Sequence, residues 1–534
     1  HIEDKGAIIL GAPIASEDKE IFRLAKTICD SHDTFFESLL HPELSTQNSM
    51  LLLRGCGISK FIYLLRTCRP SAITQLTKSI DDKILNSALK KLQLSWTSAE
   101  NGSQWDNALL QFQLPLRMGG FGLHRLEKLS PIAYYASMAA AVENATFLEL
   151  KQHSVSAKAG NLNTTEINQL NSCISTFSSL LLPEYLSKLS SLIPQDPTQT
   201  FQSQFSPSIS PSNSQIFKRK APGLQHLFSD ALHLTLKSKL TSNVEQLDNK
   251  EKTRLCGISA PLANLWKSAF PNTSATTLTN PQYEIASRLS LGFKPFDALP
   301  VECQACHRSG FPAEHYSLAN DHWHYLTCST RRNVELNIRH NQIQKSLSEA
   351  ANICGASSTV EPVKLNRENF QRPDVQIIMG GKETLVDVSV VHPAASGYLR
   401  YDYSRETLGA ARTRAQEKIK KYSQMMRHRY NISPNSFFVP FIAETYGGIC
   451  QQAQQLMLEL SVFSLQHSSV WTDEEIINYL KFTIAVAIQR GNASACLSGY
   501  SYDSRIITSF SQRSNNCSFP IINSIGYHRR GGPI

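Results

Sequence analysis

The chain has 534 residues, of which 41% are hydrophobic and 18% charged, and its formal net charge is +9. This length exceeds what one hydrophobic core usually supports, so several domains are expected, and the positive charge is compatible with a polyanionic partner. Every apolar run is far shorter than the roughly 20 residues of a membrane span, and cysteines without a secretion signal argue against a disulfide framework. Because the sequence opens on His1 rather than Met, we expect it to be a fragment of a longer protein.

Residues 1–150 are predicted to be mainly helical after a short opening strand, because apolar residues recur there at helical spacing. An aspartate pair, Asp81-Asp82, imitates the metal-binding pair of a polymerase but lies inside one of these helical patterns. We therefore interpret it as a solvated helix face. Three further segments of this region stand out by their composition: Leu10-Gly11-Ala12-Pro13-Ile14, Tyr63-Leu64-Leu65-Arg66-Thr67-Cys68-Arg69-Pro70 and Leu114-Pro115-Leu116-Arg117-Met118-Gly119-Gly120-Phe121-Gly122-Leu123.

In three stretches we predict no catalytic or metal-binding residues. Residues 151–224 combine a helix with a linker rich in Pro, Ser and Gln, a composition that does not bury a core. Residues 225–298 are predicted to be a helical connector. The end of the chain, residues 496–534, is rich in Ser, Asn and Gly and is expected to be disordered.

Between residues 299 and 345 the spacing of cysteine and histidine predicts a metal site. Cys303 and Cys306 form a Cys-x2-Cys pair, and His324 and Cys328 form a His-x3-Cys pair. Three thiolates and one imidazole suit a closed tetrahedral Zn²⁺ site of structural type. Two other histidines are rival ligands for the fourth position: His315 and His322.

A β-hairpin with two facing acids is predicted in residues 355–495, where strand and helix patterns alternate. Gly380-Gly381 separates two β-rich runs, and Gly tolerates the positive φ of a two-residue turn. In that register Asp374 faces Asp387, with Cβ atoms roughly 4.5–5.5 Å apart. Such a pair is costly unless a metal or a proton neutralises it, and this cost is the reason to expect a Mg²⁺ site. The alternative is that both acids are solvated residues of an edge hairpin.

The next helix, from Glu406 to about Arg429, has an apolar stripe that faces a core. Arg414, Lys418 and Lys421 lie together on the adjacent face. Taken by themselves, all three cations are suited to hold DNA phosphates or water.

Together these segments resemble the C-terminal region of non-LTR retrotransposon proteins. Pro373-Asp374, twelve further residues and then Asp387-Val388-Ser389 resemble the PD-(D/E)xK pattern of their restriction-like endonucleases. The resemblance implies that the two acids bind the catalytic metal and that Lys418 or Lys421 replaces the lysine for which Ser389 stands. The Cys/His segment resembles the zinc knuckle before that nuclease. The three N-terminal segments resemble the primer grip, thumb and post-thumb of the reverse transcriptase, without its catalytic aspartates.

The sequence therefore predicts a multidomain protein: an α-helical reverse transcriptase thumb region, a helical linker, a small zinc-binding segment and an α/β restriction-endonuclease-like domain. The expected function is Mg²⁺-dependent nicking of target DNA to prime reverse transcription. Arg372, Arg412 and Arg414 are expected to bind nucleic acid. The expected partners are target DNA and element RNA, with no membrane and no small-molecule substrate, and a nuclear location follows from the substrate alone. The alternative function is a non-catalytic nucleic-acid-binding remnant of a degenerate element.

Overall fold

A computed structural model describes residues 6–95, 102–152, 164–189, 223–245, 248–312, 317–318, 321, 323–328, 330, 335–362, 373–401, 406–427, 436–467 and 472–511. The described part is mostly helical and contains one small mixed sheet. None of its helices combines the length and the apolar character needed to cross a membrane. The predicted Pro/Ser-rich linker falls mostly outside these residues.

The first part of the chain opens with the predicted strand, which is one arm of a short hairpin, β1 (Ala7–Ile9) and β2 (Ala12–Ile14). Helices then follow one another up to residue 353. They are α1 (Asp18–Asp30), α2 (Asp33–Leu39), α3 (Thr46–Leu52), α4 (Ser59–Thr67), α5 (Pro70–Lys91), α6 (Gly102–Gln113), α7 (Leu126–Gln152), α8 (Thr164–Leu180), α9 (Pro183–Leu189), α10 (Leu224–Glu245), α11 (Asn249–Ile258), α12 (Asn280–Leu291), α13 (Gln304–Arg308), α14 (His324–Thr327) and α15 (Glu335–Ile353).

The second part of the chain builds the sheet and the helices that cover it. In order across the sheet, β3 (Ser357–Val360), β4 (Val375–Met379) and β5 (Lys382–Val391) are antiparallel, and β6 (Ser436–Glu444) is parallel to β5. The remaining helices are α16 (Ser396–Leu399), α17 (Gly409–Arg427), α18 (Gln451–His467) and α19 (Asp473–Ser511). The predicted β-hairpin and the predicted basic helix are thus confirmed as elements.

The hairpin has the predicted turn and register. Gly380 and Gly381 have φ angles of +52° and +80°, the left-handed values that a two-residue hairpin turn favours. The pairs run in register from Met379 opposite Lys382 to Val375 opposite Val386. At the next step the register ends, because the backbone N–H of Asp374 donates to the carbonyl of Val386 at 2.8 Å. The predicted register is therefore correct from Met379 to Val375, and the expected backbone pairing of Asp374 with Asp387 is wrong.

Helix α19 belongs to two hydrophobic cores. Ala485 and Cys496 pack into the core of the first part of the chain, while Leu480 and Ile484 pack into the core of the sheet. One helix thus serves both parts, and the division into several domains stays a prediction.

The expectation of disorder from residue 496 is wrong as far as residue 511, where α19 ends. Two side chains explain why the helix continues past the expected boundary. Cys496 is fully buried, and the buried Asp503 accepts hydrogen bonds from the Gln304 backbone N–H at 3.2 Å and from the Tyr325 hydroxyl at 3.0 Å. Residues 512–534 lie outside the described residues.

The interpretation of Asp81 as a solvated residue is also wrong. Its carboxylate accepts hydrogen bonds from the backbone N–H groups of Leu126 at 2.7 Å and Glu127 at 3.1 Å, at the start of α7. Asp81 is 5% exposed, and burial raises its pKa to about 6. An acid at a helix N-terminus is stabilised by the orphan N–H groups there, so Asp81 has a structural role. Asp82 is exposed.

Candidate functional site

Asp374 lies just before β4, and two other elements, β5 and α15, approach its carboxylate. Oδ2 accepts a hydrogen bond from the backbone N–H of Val388 on β5 at 2.6 Å. Oδ1 lies 3.3 Å from Nε2 of His340 on α15. The carboxylate is therefore held between the hairpin and α15, and its position does not depend on a direct backbone pair with Asp387.

Asp387 lies in the middle of β5 and is only 5% exposed. Its Oδ1 accepts a hydrogen bond from the hydroxyl of Tyr422 at 2.7 Å, and its Oδ2 lies 2.5 Å from Nζ of Lys418. Both partners come from α17, one helical turn apart, and the Tyr422 ring stacks on Phe438 of β6 at 4.2 Å between centroids. Burial and the Asp387 charge raise the pKa of Tyr422, so it stays a hydrogen-bond donor.

Both acids line one cavity of about 580 Å³. We call it the carboxylate cavity. Its walls come from α14, α15, β5, α16 and α17. The charged and polar residues that line it include Asn337, Arg339, His340, Asp374, Asp387, Ser389, His392, Arg414 and Lys418. The cavity thus brings a predicted acid pair and one of the two candidate lysines together.

The other predicted cations have different positions. Lys421 is exposed and lies 5.7 Å from the centre of the Tyr422 ring, away from the cavity lining. Arg414 lines the cavity and pairs with Glu417 at 2.7 Å. Arg412 pairs with Glu406 at the surface, outside the lining. The spacing that groups these residues on one face does not tell which of them points at Asp387. Arg372 lies outside the described residues.

Sequence reasoning missed three residues of this site. Tyr422 falls on the apolar stripe of its helix, and nothing in the stripe marks its hydroxyl. His340 and Arg339 reach the cavity from α15, which precedes the hairpin. A signal exists for Arg339, because it stands four residues before the buried Ile343 and so falls on the buried face of α15.

The four predicted zinc ligands come together in a second site, the Cys/His cluster. Cys303 precedes α13 and Cys306 lies within it, while His324 begins α14 and Cys328 follows that helix. All four are buried, and their ligand atoms lie within 4.8 Å of one another. The rival histidines, His315 and His322, lie outside the described residues.

The distances in the Cys/His cluster fit a tetrahedral zinc site. Sγ of Cys306 lies 3.4 Å from Sγ of Cys328 and 3.4 Å from Nε2 of His324, and the sulfurs of Cys303 and Cys328 are 3.9 Å apart. Zinc bonds of about 2.3 Å to sulfur and 2.0–2.1 Å to nitrogen place tetrahedral ligands about 3.5–3.8 Å apart. The cluster can therefore bind a metal such as zinc.

The electrostatics of the cluster favour a metal-binding thiolate at one position. The hydrogen bond from Cys328 lowers the pKa of the Cys303 thiol, with His324 acting in the same direction, whereas burial raises the pKa of Cys306. Thiolates are the form that binds zinc.

The two sites differ in closure. In the described part of the chain, no other three Cys, His, Asp or Glu side chains meet as tightly as those of the Cys/His cluster. Asp374, Asp387 and His340 therefore form an open arrangement rather than a closed set of ligands.

No known protein family and no curated protein matches the chain.

Proposed function

We propose that the chain is the Mg²⁺-dependent DNA endonuclease part of a protein similar to those of non-LTR retrotransposons, and that it nicks target DNA to prime reverse transcription. The observation that carries this proposal is the meeting of Asp374, Asp387 and Lys418 in one cavity. Element RNA as a second partner and a nuclear location belong to the same proposal and depend on it.

The chemistry of the carboxylate cavity supports this proposal. Two carboxylates that share a pocket with water are the protein ligands that Mg²⁺ usually has at phosphate-processing sites. When bound, Mg²⁺ polarises a phosphodiester and lowers the pKa of a bound water. Lys418 is 13% exposed, and its ammonium already lies at one of the two acids, where it is placed to donate to a phosphate oxygen.

The Cys/His cluster would contribute stability to the surface beside this cavity. Leu326 and Thr327 of α14 line the carboxylate cavity, and His324 and Cys328 flank them in the sequence. A bound zinc ion would fix the position of α14 and so the shape of one cavity wall. Its role in the proposal is structural and not catalytic.

The test is a nicking assay with the full chain, supercoiled plasmid DNA and Mg²⁺. We expect the wild type to convert supercoiled DNA to the open circle, and Asp374→Asn or Asp387→Asn to slow this on the order of 1000-fold or more. Asp82→Asn is the matched control, because Asp82 is an exposed aspartate outside the cavity. Undiminished nicking by either cavity variant would refute the proposal.

The same assay distinguishes the proposed nuclease from the alternative function. A non-catalytic nucleic-acid-binding remnant would bind plasmid DNA in a salt-sensitive manner and leave it supercoiled at every Mg²⁺ concentration. In that case the ion pairs of Asp387 with Lys418 and of Asp374 with His340 would be structural.

A further inference from the structure

Arg339 on α15 is a buried cation that lines the carboxylate cavity and has no acidic partner among the described residues. It is 4% exposed. Its Nη1 donates to Oδ1 of Asn492 on α19 at 2.5 Å, and its Nε has no hydrogen-bond partner among the residues that the structure describes. A buried charge without a counter-charge is unfavourable, so this arginine points to an anionic ligand.

Three of the other cavity-lining side chains that can carry a positive charge lie beside acids, and the fourth, His392, has its Nδ1 2.7 Å from the hydroxyl oxygen of Thr445. The pairs are His340 with Asp374 at 3.3 Å, Lys418 with Asp387 at 2.5 Å and Arg414 with Glu417 at 2.7 Å. Among the lysine and arginine side chains that line the cavity, only Arg339 has no acid beside it in the described part of the chain.

The surroundings of Arg339 are built to hold it in place. Gly491 lies against its aliphatic stem, and a methyl group at that glycine would overlap the Cβ, Cγ and Cδ atoms of Arg339. Asn492 is itself fixed, because its amide donates to the carbonyl of Thr445 at 2.7 Å and to the side chain of Gln489 at 3.2 Å. Burial lowers the pKa of Arg339 to about 10, so the guanidinium stays charged at neutral pH.

We propose that Arg339 binds a phosphate group of a DNA strand inside the carboxylate cavity. A guanidinium presents its donors in a planar fork that matches two oxygens of one phosphate. Asp374 and Asp387 line the same cavity, so a strand held by Arg339 passes beside them. The identity of the strand as DNA rests on the proposed function, whereas the need for an anion rests on Arg339 alone.

The test measures binding without cleavage. The zinc-loaded full chain is titrated with a fluorescent oligodeoxynucleotide at several salt concentrations, without added Mg²⁺ and without a chelator that would remove zinc. We expect Arg339→Gln to weaken binding about 10- to 100-fold and to reduce the slope of log affinity against log salt by about one phosphate contact. Arg490→Gln is the control, since Arg490 also donates to neutral oxygens but lies outside the cavity lining.

Folding is checked by the thermal unfolding midpoint of each variant. If Arg339→Gln does not fold, Asn492→Asp is measured instead, because it leaves Arg339 in place and supplies an internal carboxylate that competes with the phosphate. Weaker binding with a lower salt slope supports the proposal. A wild-type salt slope in a folded Arg339→Gln or Asn492→Asp variant overturns it.

Two further outcomes separate this inference from the proposed nuclease activity. In the first, the wild type binds the oligodeoxynucleotide but does not nick plasmid, and Arg339→Gln loses the binding. This result would support the phosphate site and refute the nuclease. Saturable binding of inorganic phosphate or of an oligoribonucleotide, with no binding of the oligodeoxynucleotide, would overturn the assignment to DNA.

Discussion

The Cys/His cluster and the carboxylate cavity gather polar side chains in opposite ways. The cluster takes all of its ligands from two short segments, closes them within 4.8 Å of one another and buries them. The cavity takes its side chains from α15, β5 and α17, leaves a volume of about 580 Å³ and pairs its acids with cations of the protein. A closed set of ligands is suited to a structural metal, and an open charged cavity is suited to a ligand that enters and leaves.

The largest effect, a loss of zinc and of stability, is expected at the Cys/His cluster. Cys306→Ser removes one of four ligands and should release the metal, and structural zinc contributes on the order of 10 kcal/mol in small zinc-binding segments. Because Cys306 packs in the same core as Trp323 and Tyr325, the thermal unfolding midpoint should fall strongly. Cys56→Ser, at an exposed cysteine, should leave zinc content and midpoint unchanged. Equal zinc content in both variants would show that the cluster binds no zinc.

Substitutions in the carboxylate cavity should change the nicking rate and leave the zinc content unchanged. Lys418→Met removes the ammonium beside Asp387 and should slow nicking by about 100- to 1000-fold, the usual loss for a group that stabilises developing charge. Lys421→Met, one turn away on the exposed face, should change the rate by less than about threefold. Single-turnover rates on supercoiled DNA measure both. Similar rates for the two variants would contradict the role given to Lys418.

The sheet beside the cavity should also be sensitive to pH. Burial raises the pKa of Glu444, at the end of β6, to about 7, although the Ala411 N–H that donates to it acts in the opposite direction. An unfolded glutamate titrates near about 4.3, so between these values the folded protein binds the extra proton. The free energy of unfolding therefore falls as pH rises from about 4.5 to about 7, by about 3 kcal/mol from this group.

Glu444→Gln should remove this dependence. Urea unfolding at pH 5 and pH 8 should show that the variant gains stability relative to the wild type at the higher pH. Glu37→Gln, at an exposed glutamate, should follow the wild type. The same difference between variant and wild type at both pH values would exclude a raised pKa for Glu444.

The smallest effect is expected at the hairpin turn. Gly381 has a φ of +80°, and an added Cβ would meet no atom within 4 Å, so Gly381→Ala tests backbone strain alone. The expected loss is about 1 kcal/mol of unfolding free energy. Gly397→Ala is the control, because Gly397 lies in α16 without a positive φ and its Cβ also meets open space. Equal effects at the two glycines, measured by urea unfolding, would rule out a strained turn.

The sequence predicted what depends on neighbours in the chain. The Gly380-Gly381 turn and the Cys/His spacing are local signals, and the structure has the turn and the cluster where they were expected. Contacts between distant segments carry no such signal. Asp81 was misassigned because its partners, Leu126 and Glu127, follow it by more than forty residues.

The same limit applies to the cavity. Periodicity places Lys418 and Lys421 near each other on α17, and it does not predict that Lys418 reaches Asp387 while Tyr422 packs on Phe438. A buried arginine on an apolar helix face, as at Arg339, is a sequence signal worth following.

Manganese binding tests most directly whether Asp374 and Asp387 hold one cation between them. The zinc-loaded full chain is titrated with Mn²⁺, as a substitute for Mg²⁺, and free Mn²⁺ is counted by electron paramagnetic resonance. We predict a site that disappears in Asp374→Asn and in Asp387→Asn and persists in Asp82→Asn. Retention of that site in both cavity variants, or its absence from the wild type, would contradict the account.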